Sequence, residues 1–176
     1  MRQLLLLRHA KSSWDDPALS DHSRPLNRRG RLAAQAMRRA MLGLGMAPQL
    51  VLVSTSRRTL QTLQELEPWD AVPTVQPQDG LYLANADTIL DAVAAAPPGV
   101  QSVLVIGHNP GLHELAHRLA GSPNLASDRA DARRLSDAFP SGALAEFALP
   151  QGWSAEGARL VRFICPRDLP EAPDAS

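Results

Sequence analysis

The sequence predicts an α/β fold of three layers, in which a mixed, mainly parallel sheet lies between helices. Strand-like and helix-like stretches alternate along the 176 residues, which is the pattern of this fold class. Two strand-like runs, 4–7 and 103–106, are apolar throughout, as expected for strands that helices cover on both faces. A chain of this length can bury one core, so we expect a single domain over residues 1–165 and a loose tail over 166–176.

Apolar periodicity and punctuating residues predict the individual elements. We expect strands near 3–8, 50–54, 102–107, 142–149 and 159–164, with a weaker strand near 73–77. Helices are expected over 28–44, 59–66, 88–96 and 110–120. In the last of these helices, Asn109 is expected as the N-cap and Pro110 as the first helical residue. The stretch 121–141 is expected to run over the surface, with one helical turn around 128–137.

Composition excludes several classes of protein. A hydrophobic content of 44% is too high for a disordered chain, and the longest apolar runs fall far short of the ~20 residues that a membrane helix needs. The 18 acidic and 18 basic residues cancel, so no global field attracts nucleic acid or an anionic membrane. The single cysteine, Cys165, allows no internal disulfide and fits a reducing compartment. We therefore expect a cytoplasmic protein that binds neither nucleic acid nor membranes.

The pair Arg8-His9 and the residue His108 each follow an apolar strand-like run. In an open α/β sheet, the carboxyl ends of the parallel strands border the ligand crevice. A single histidine in this position could simply cap a neighbouring element. Two such histidines, together with arginines, indicate one functional site.

Further clusters supply the groups that a phosphate site needs. Residues 54–62 begin with hydroxyl residues at a strand end and continue into a helix whose first turn carries Arg57 and Arg58. Helix N-termini and guanidinium groups both attract phosphate, although two arginines at an exposed helix start could also be merely solvated. Arg24 lies in a loop before the first long helix, where it could face the site or form an ion pair with Asp21.

These clusters together resemble the histidine phosphatase superfamily, which has the phosphoglycerate mutase-like fold, and within it the SixA-like branch of phosphohistidine phosphatases. The resemblance covers nearly the whole chain and rests on the segments 8–14 (Arg-His-Ala-Lys-Ser-Ser-Trp), 24–26 (Arg-Pro-Leu), 54–62 (through Ser54, Arg58, Gln61 and Thr62), 105–111 (Val-Ile-Gly-His-Asn-Pro-Gly) and 139–144 (Phe-Pro-Ser-Gly-Ala-Leu). The Arg-His-Gly signature of the superfamily has Ala10 in place of glycine. This departure is tolerable if the turn does not need a positive φ.

The resemblance implies a phosphatase that works through a covalent intermediate within a single histidine phosphatase domain. His9 would be the nucleophile and would carry the phosphoryl group as a phosphohistidine. A histidine nucleophile must be neutral and oriented, so its other ring nitrogen should be held by a backbone carbonyl or a similar acceptor. Such a site needs no metal and no cofactor.

The resemblance also assigns the residues that bind the phosphoryl group. Its oxygens would be clamped by Arg8, Arg58 and His108. Arg58 is preferred to Arg57 because it has the family's spacing from the neighbouring motif residues. Further substrate-binding residues would be Arg24, Ser12 and Asn109.

A general acid for the leaving group is harder to assign, since only Asp79 lies where other branches of the superfamily carry a carboxylate. An alkoxide needs a proton to leave, whereas the weaker P–N bond of phosphohistidine can break after protonation by solvent. The short interval 63–102 leaves little chain for a cap, so we expect an open site that admits a phosphorylated protein. The alternatives are a small-molecule phosphomonoesterase of the same superfamily, which would use Asp79, and a non-catalytic phosphate-binding module.

A competing motif is His-Glu-Leu-Ala-His at 113–117, which has the spacing of a zinc hydrolase. No histidine follows His117, so only Glu146 or Glu156 could serve as a third ligand. The segment is also an amphipathic helix in which the leucines are expected to face the sheet. We therefore expect His113 and His117 to be structural, and His22 to be a surface residue.

Overall fold

The computed structural model describes residues 1–121 and 129–170. Within these residues, the strands are β1 (Arg2–Arg8), β2 (Leu50–Ser54), β3 (Thr74–Gln78), β4 (Ser102–Gly107), β5 (Leu144–Leu149) and β6 (Arg159–Ile164). The helices are α1 (Arg28–Gly43), α2 (Arg57–Glu65), α3 (Ala86–Ala94), α4 (Gly111–Ala120) and α5 (Arg129–Asp137). In this part of the chain, no helix is both long and apolar enough to cross a membrane.

The strands form one sheet in the order β3-β2-β4-β1-β5-β6. Strands β1, β4, β2 and β3 are mutually parallel, while β5 is antiparallel to both β1 and β6. The predicted mixed, mainly parallel sheet is confirmed. Because β1, β4 and β2 run the same way, their carboxyl ends at Arg8, Gly107 and Ser54 lie on one edge of the sheet.

Two hydrophobic cores cover the two faces of the sheet, as the apolar runs predict. Leu4 and Leu6 of β1 belong to a core that includes side chains of α3, α4 and α5. Leu5 and Leu7 belong to a core on the other face, with side chains of α1 and α2. This alternation follows from the pleat of a strand, and it makes β1 an element with no solvent-facing side over its central residues. The three-layer fold is thus confirmed.

Several element boundaries differ from the prediction, and the causes are specific contacts. Helices α2 and α3 begin two residues early because Ser56 and Asn85 accept hydrogen bonds from backbone amides in their first turns. Helix α4 begins at Gly111, and the predicted N-cap Asn109 is wrong. The side-chain amide of Asn109 instead donates through Nδ2 to the carbonyl of Phe139 at 2.9 Å. Helix α5 has nine residues rather than one turn.

The expectation of a loose tail from residue 166 needs correction for its first part. Pro166–Asp168 forms a short 3-10 turn. The carboxylate of Asp168 accepts a hydrogen bond from the backbone of Cys165 at 2.9 Å and pairs with Arg134. These contacts fix the start of the segment against α5. Residues 171–176 lie outside the described residues.

Candidate active site

His9 and His108 lie side by side at the edge where β1 and β4 end. The two strands are in parallel register, with Arg8 opposite Gly107, and the amide of His9 donates to the carbonyl of Gly107 at 3.1 Å. The ring centroids of the two histidines are 5.3 Å apart. The structure thus brings the two histidines together at one edge of the sheet.

The His9 ring is fixed in one tautomer by the backbone that follows it. Its Nδ1 lies 2.8 Å from the carbonyl oxygen of Ala10. A carbonyl can only accept, so Nδ1 carries the proton and Nε2 keeps the lone pair. Burial lowers the pKa of His9 to about 4, and the positive charges of Arg58, Arg8 and Arg24 act in the same direction. The ring is therefore neutral at neutral pH, and its expected contact with a carbonyl is confirmed.

Two residues of α2, Thr62 and Gln61, fix the backbone of the loops that surround the site and do not line its cavity. Thr62 Oγ1 accepts a hydrogen bond from the amide of Ala10 at 3.0 Å, and Gln61 Oε1 accepts one from the amide of Leu26 at 2.8 Å. Among the described non-glycine residues only Leu83 has a positive φ. The turn at Ala10 therefore does not need a left-handed backbone, which explains why alanine replaces glycine here.

Arg58 reaches the site from the first turn of α2, whereas the exposed Arg57 donates to the Ser23 carbonyl at 3.4 Å and does not line the cavity described below. The Arg58 side chain is only 3% exposed, and its Nη2 lies 3.4 Å from Nδ1 of His108. Because a guanidinium can only donate, Nδ1 of His108 accepts and Nε2 carries the proton, which it donates to Ser54 Oγ at 2.8 Å. Burial, followed by the charges of His9 and Arg58, lowers the pKa of His108 to about 3.

Asp21 joins the arginines of the site, a role that the sequence left open. Its carboxylate accepts hydrogen bonds from Arg58 at 3.0 Å, from Arg24 at 3.0 Å and from the hydroxyl of Tyr82. The hydrogen bond from Tyr82, with those from the arginines, holds the pKa of Asp21 well below its usual range. Arg24 therefore does both things that its loop position allows, since it pairs with Asp21 and also lines the site. The spacing of three residues between Asp21 and Arg24 was the sequence signal for their ion pair. No pattern near Tyr82 in the sequence indicated its contact with Asp21.

A cavity of about 300 Å³ opens above these groups. It is lined by Arg8, His9, Lys11, Ser12, Trp14, Arg24, Arg58, Leu83, His108, Asn109 and Ser141. Every predicted site residue except Asp79 is in this set. The exposed Asp79 instead accepts a hydrogen bond from Thr55 Oγ1 at 2.6 Å. His22, expected at the surface, is half-buried against Tyr82, with 4.8 Å between ring centroids.

The cavity carries more positive charge and more donors than the described side chains satisfy. Arg8, Lys11, Arg24 and Arg58 face it, and Asp21 is the carboxylate that pairs with two of them. Among the described residues, the buried Nε atoms of Arg8 and Arg58 have no hydrogen-bond partner. Unsatisfied buried donors are costly, so the site is suited to a small anion with several acceptor oxygens.

Around the zinc-hydrolase motif, the described part of the chain shows no metal-binding geometry. His113 Nε2 lies 2.6 Å from the carbonyl oxygen of Leu135, so the ring of His113 joins α4 to the backbone of α5. Glu146, one of the two candidate third ligands, is paired with Arg162 on the sheet. Within residues 1–121 and 129–170, no three histidine, cysteine or acidic side chains form a cluster that could hold a metal ion.

Comparison with known proteins identifies the family. The family described as "Histidine phosphatase superfamily (branch 1)" matches residues 4–81. An uncharacterized chloroplastic protein of Arabidopsis thaliana is 34% identical over 171 residues, which cover 89% of this chain and 76% of that protein. An uncharacterized protein of Mycobacterium tuberculosis is 34% identical over 170 residues, covering 92% of this chain and 100% of that one. The chain belongs to the histidine phosphatase superfamily and is a phosphatase.

Solved structures place it in the SixA-like branch. A structure from Agrobacterium tumefaciens, provisionally described as the phosphohistidine phosphatase SixA, is 30% identical, covers 94% of this chain and 98% of its own, and superposes with a TM-score of 0.80. A similarly described structure from Nakamurella multipartitia is 32% identical, with coverage of 94% and 96% and a TM-score of 0.79. The predicted membership of this branch is confirmed.

Proposed function

We propose that this phosphatase removes the phosphoryl group from phosphohistidine on a protein, through a covalent intermediate on His9. The observation that carries this proposal is the His9 ring, which is held through Nδ1 by the Ala10 carbonyl and is neutral because it is buried among cations. Its Nε2 lone pair is thereby available at a cavity rich in guanidinium groups. A neutral, oriented imidazole is what nucleophilic attack on phosphorus needs.

The reaction proceeds in two displacements. In the first, the lone pair of His9 Nε2 forms a bond to phosphorus while the P–N bond of the substrate breaks. The departing imidazole nitrogen keeps the electron pair of that bond and takes a proton from solvent. In the second, a water oxygen attacks phosphorus while the bond to Nε2 breaks, and Nε2 keeps the electron pair of that bond. One proton of the water passes to solvent and the other stays on the inorganic phosphate, so neutral His9 is restored. No metal or cofactor enters either step.

Arg8, Arg58 and His108 are proposed to bind the phosphoryl oxygens in both steps. Arg8 and Arg58 each have a buried Nε donor without a partner in the described part of the chain, and phosphoryl oxygens would satisfy these donors. When a phosphoryl group draws the Arg58 guanidinium away from Nδ1 of His108, that nitrogen is released from its contact. The Ser54 hydroxyl can donate to Nε2 as well as accept from it, so His108 can then carry its proton on Nδ1 and donate it to a phosphoryl oxygen. Arg24, Ser12 and Asn109 line the same cavity and are proposed as further substrate contacts.

The carboxylates near the site support an N-phosphorylated substrate. Asp79 is bonded to Thr55 and does not line the cavity. Asp21 pairs with Arg24 and Arg58, and its lowered pKa keeps it ionised. Neither carboxyl group is placed to protonate an alkoxide. Phosphohistidine, whose imidazole can take its proton from solvent, does not require such a donor.

A substrate panel tests the proposal. We expect kcat/KM to be highest for a phosphohistidine protein, lower for aryl phosphates and lowest for alkyl and sugar phosphates. Asp79→Asn should cost little on phosphohistidine, whereas loss of a true general acid costs ~10²–10⁴-fold on alkyl esters. Sugar phosphates hydrolysed as fast as phosphohistidine, with that activity lost in Asp79→Asn, would instead establish a small-molecule phosphomonoesterase.

A further inference from the structure

Two large apolar side chains are exposed at the mouth of an otherwise polar cavity. Trp14 is 76% exposed and Leu83 is 52% exposed, and both line the same cavity as His9 and Arg58. Scattered exposed apolar residues are ordinary on a protein surface. Here, however, both side chains line the cavity that also contains the arginines and His9.

Trp14 is held in place by one of the arginines of the site. The Cζ atom of Arg24 lies 3.5 Å from the centroid of the Trp14 ring, so the guanidinium covers the indole. Arg24 is itself fixed by hydrogen bonds to Asp21 and to Ser12 Oγ, the latter at 2.6 Å. The ring is thus supported from the protein side, and its large exposure leaves it open to a ligand.

The backbone of Leu83 has an unusual conformation, which its neighbours fix. It has φ of 50°, a conformation that non-glycine residues rarely adopt. Its neighbours fix it there, since Tyr82 is bonded to Asp21 and Ala84 is buried. Strained residues of this kind persist where the surrounding structure over-determines them, and they concentrate at ligand sites.

We propose that Trp14 and Leu83 form an apolar rim that binds the imidazole ring of the phosphohistidine substrate while the arginines bind its phosphoryl group. This inference rests on the proposed function and deepens it. In-line attack by His9 places the leaving group on the far side of phosphorus, so it points away from the nucleophile. A flat heteroaromatic ring gains contact with an indole and a leucine there, whereas a sugar would give up hydration of its hydroxyls.

The size of the cavity agrees with this occupant. At about 300 Å³ the cavity is at the small end of ligand sites. It suits a phosphoryl group and one ring, with the rest of the partner protein outside. The rim therefore selects for the ring attached to phosphorus and not for the sequence around it.

Two substrates with the same reacting bond test the rim. Phosphohistidine and phosphoramidate both contain a P–N bond, but only the first has a ring. We expect Trp14→Ala and Leu83→Ala each to lower kcat/KM for phosphohistidine by about tenfold, the size of one aromatic contact, and to change kcat/KM for phosphoramidate much less. Trp14→Phe should restore most of the phosphohistidine activity. The matched control is Leu44→Ala, since Leu44 is 44% exposed at the end of α1 and does not line the cavity.

The outcomes separate this inference from the function on which it rests. Equal losses on both substrates would show that Trp14 acts only through Arg24 and the phosphoryl site, and would overturn the rim. Unchanged kcat/KM for phosphohistidine in both variants would overturn it as well. A wild-type enzyme that fails to hydrolyse phosphohistidine while it hydrolyses esters would overturn the proposed function and the imidazole assignment together.

Discussion

Asp21 holds Arg58 by two separate contacts, one from its backbone carbonyl at 2.7 Å and one from its carboxylate at 3.0 Å. The guanidinium of Arg58 is buried, while the carboxylate that orients it is close to half exposed. The position of Arg58 at the phosphoryl site therefore depends on Asp21, which lies in the 3-10 turn Asp21–Ser23 before α1, as well as on α2.

Asp21→Ala should lower kcat more than it weakens anion binding. Loss of the carboxylate frees Arg58 and Arg24 to move, and misplacement by about 1 Å can cost roughly 10²-fold in rate. It also removes a negative charge that repels phosphate, which offsets part of the lost affinity. We expect kcat to fall by roughly 10- to 100-fold, with inhibition by vanadate changed far less. A variant that loses vanadate affinity and keeps its kcat would contradict this positioning role.

His9→Ala should abolish turnover while the fold remains. Loss of a covalent nucleophile should lower kcat by on the order of 10³-fold or more, whereas phosphate should still bind because Arg8, Arg58 and His108 are retained. Trapping of labelled phosphate on the wild-type enzyme, followed by peptide mapping, should locate an acid-labile adduct on His9. Label on a serine or on Cys165 would refute the assignment.

Activity should persist in EDTA and should be inhibited by vanadate or tungstate, whose oxygens can occupy the positions of phosphoryl oxygens. His113→Ala should reduce thermal stability more than rate, because the ring of His113 on α4 is bonded to the Leu135 carbonyl on α5 and does not line the cavity that contains His9. His117→Ala, at an exposed position, is the matched control. Loss of activity on chelation and its recovery with zinc would revive the metal-dependent alternative.

The free energy of unfolding should fall as the pH is lowered from about 6.5 towards 4. His9 and His108 have folded pKa values of about 4 and about 3, below the reference value of 6.5. Within this window the unfolded chain binds more protons than the folded chain, so acid favours unfolding. His9→Asn should make the slope of stability against pH shallower, because the variant no longer has the buried imidazole at this position. Urea unfolding at several pH values measures this, and identical slopes for wild type and His9→Asn would rule it out.

Patterns local in sequence predicted the elements and the residues at strand ends. The apolar runs before His9 and His108 are sufficient to place both on one sheet edge, because parallel strands align their carboxyl ends. The spacing within residues 54–62 favoured Arg58 over Arg57, and the structure places only Arg58 at the cavity. The predictions that were wrong concern residues whose partners are distant in the sequence. The side-chain amide of Asn109, for example, donates to the Phe139 carbonyl and does not cap α4.

Asp21, Tyr82 and Leu83 illustrate the same limit at the site. They lie on irregular segments whose path is set by packing and not by periodicity. Tyr82 contacts Asp21 although the two are 61 positions apart. No pattern within a short window predicts such a pair, because nothing in either segment requires the other.

The central position of β1 also determines when the enzyme can first become active during its synthesis. Leu4 pairs with Val103 on one side and with Phe147 on the other, and the Arg8 guanidinium donates to the Phe139 carbonyl. Strand β1 therefore leaves the ribosome well before its partners β4 and β5 and must wait for both of them. Until then its four leucines form an apolar strand with two unpaired edges, which is the kind of segment that aggregates or recruits chaperones. A chain interrupted before Phe139 would lack both β5 and the carbonyl that holds Arg8, and would be inactive and prone to aggregation.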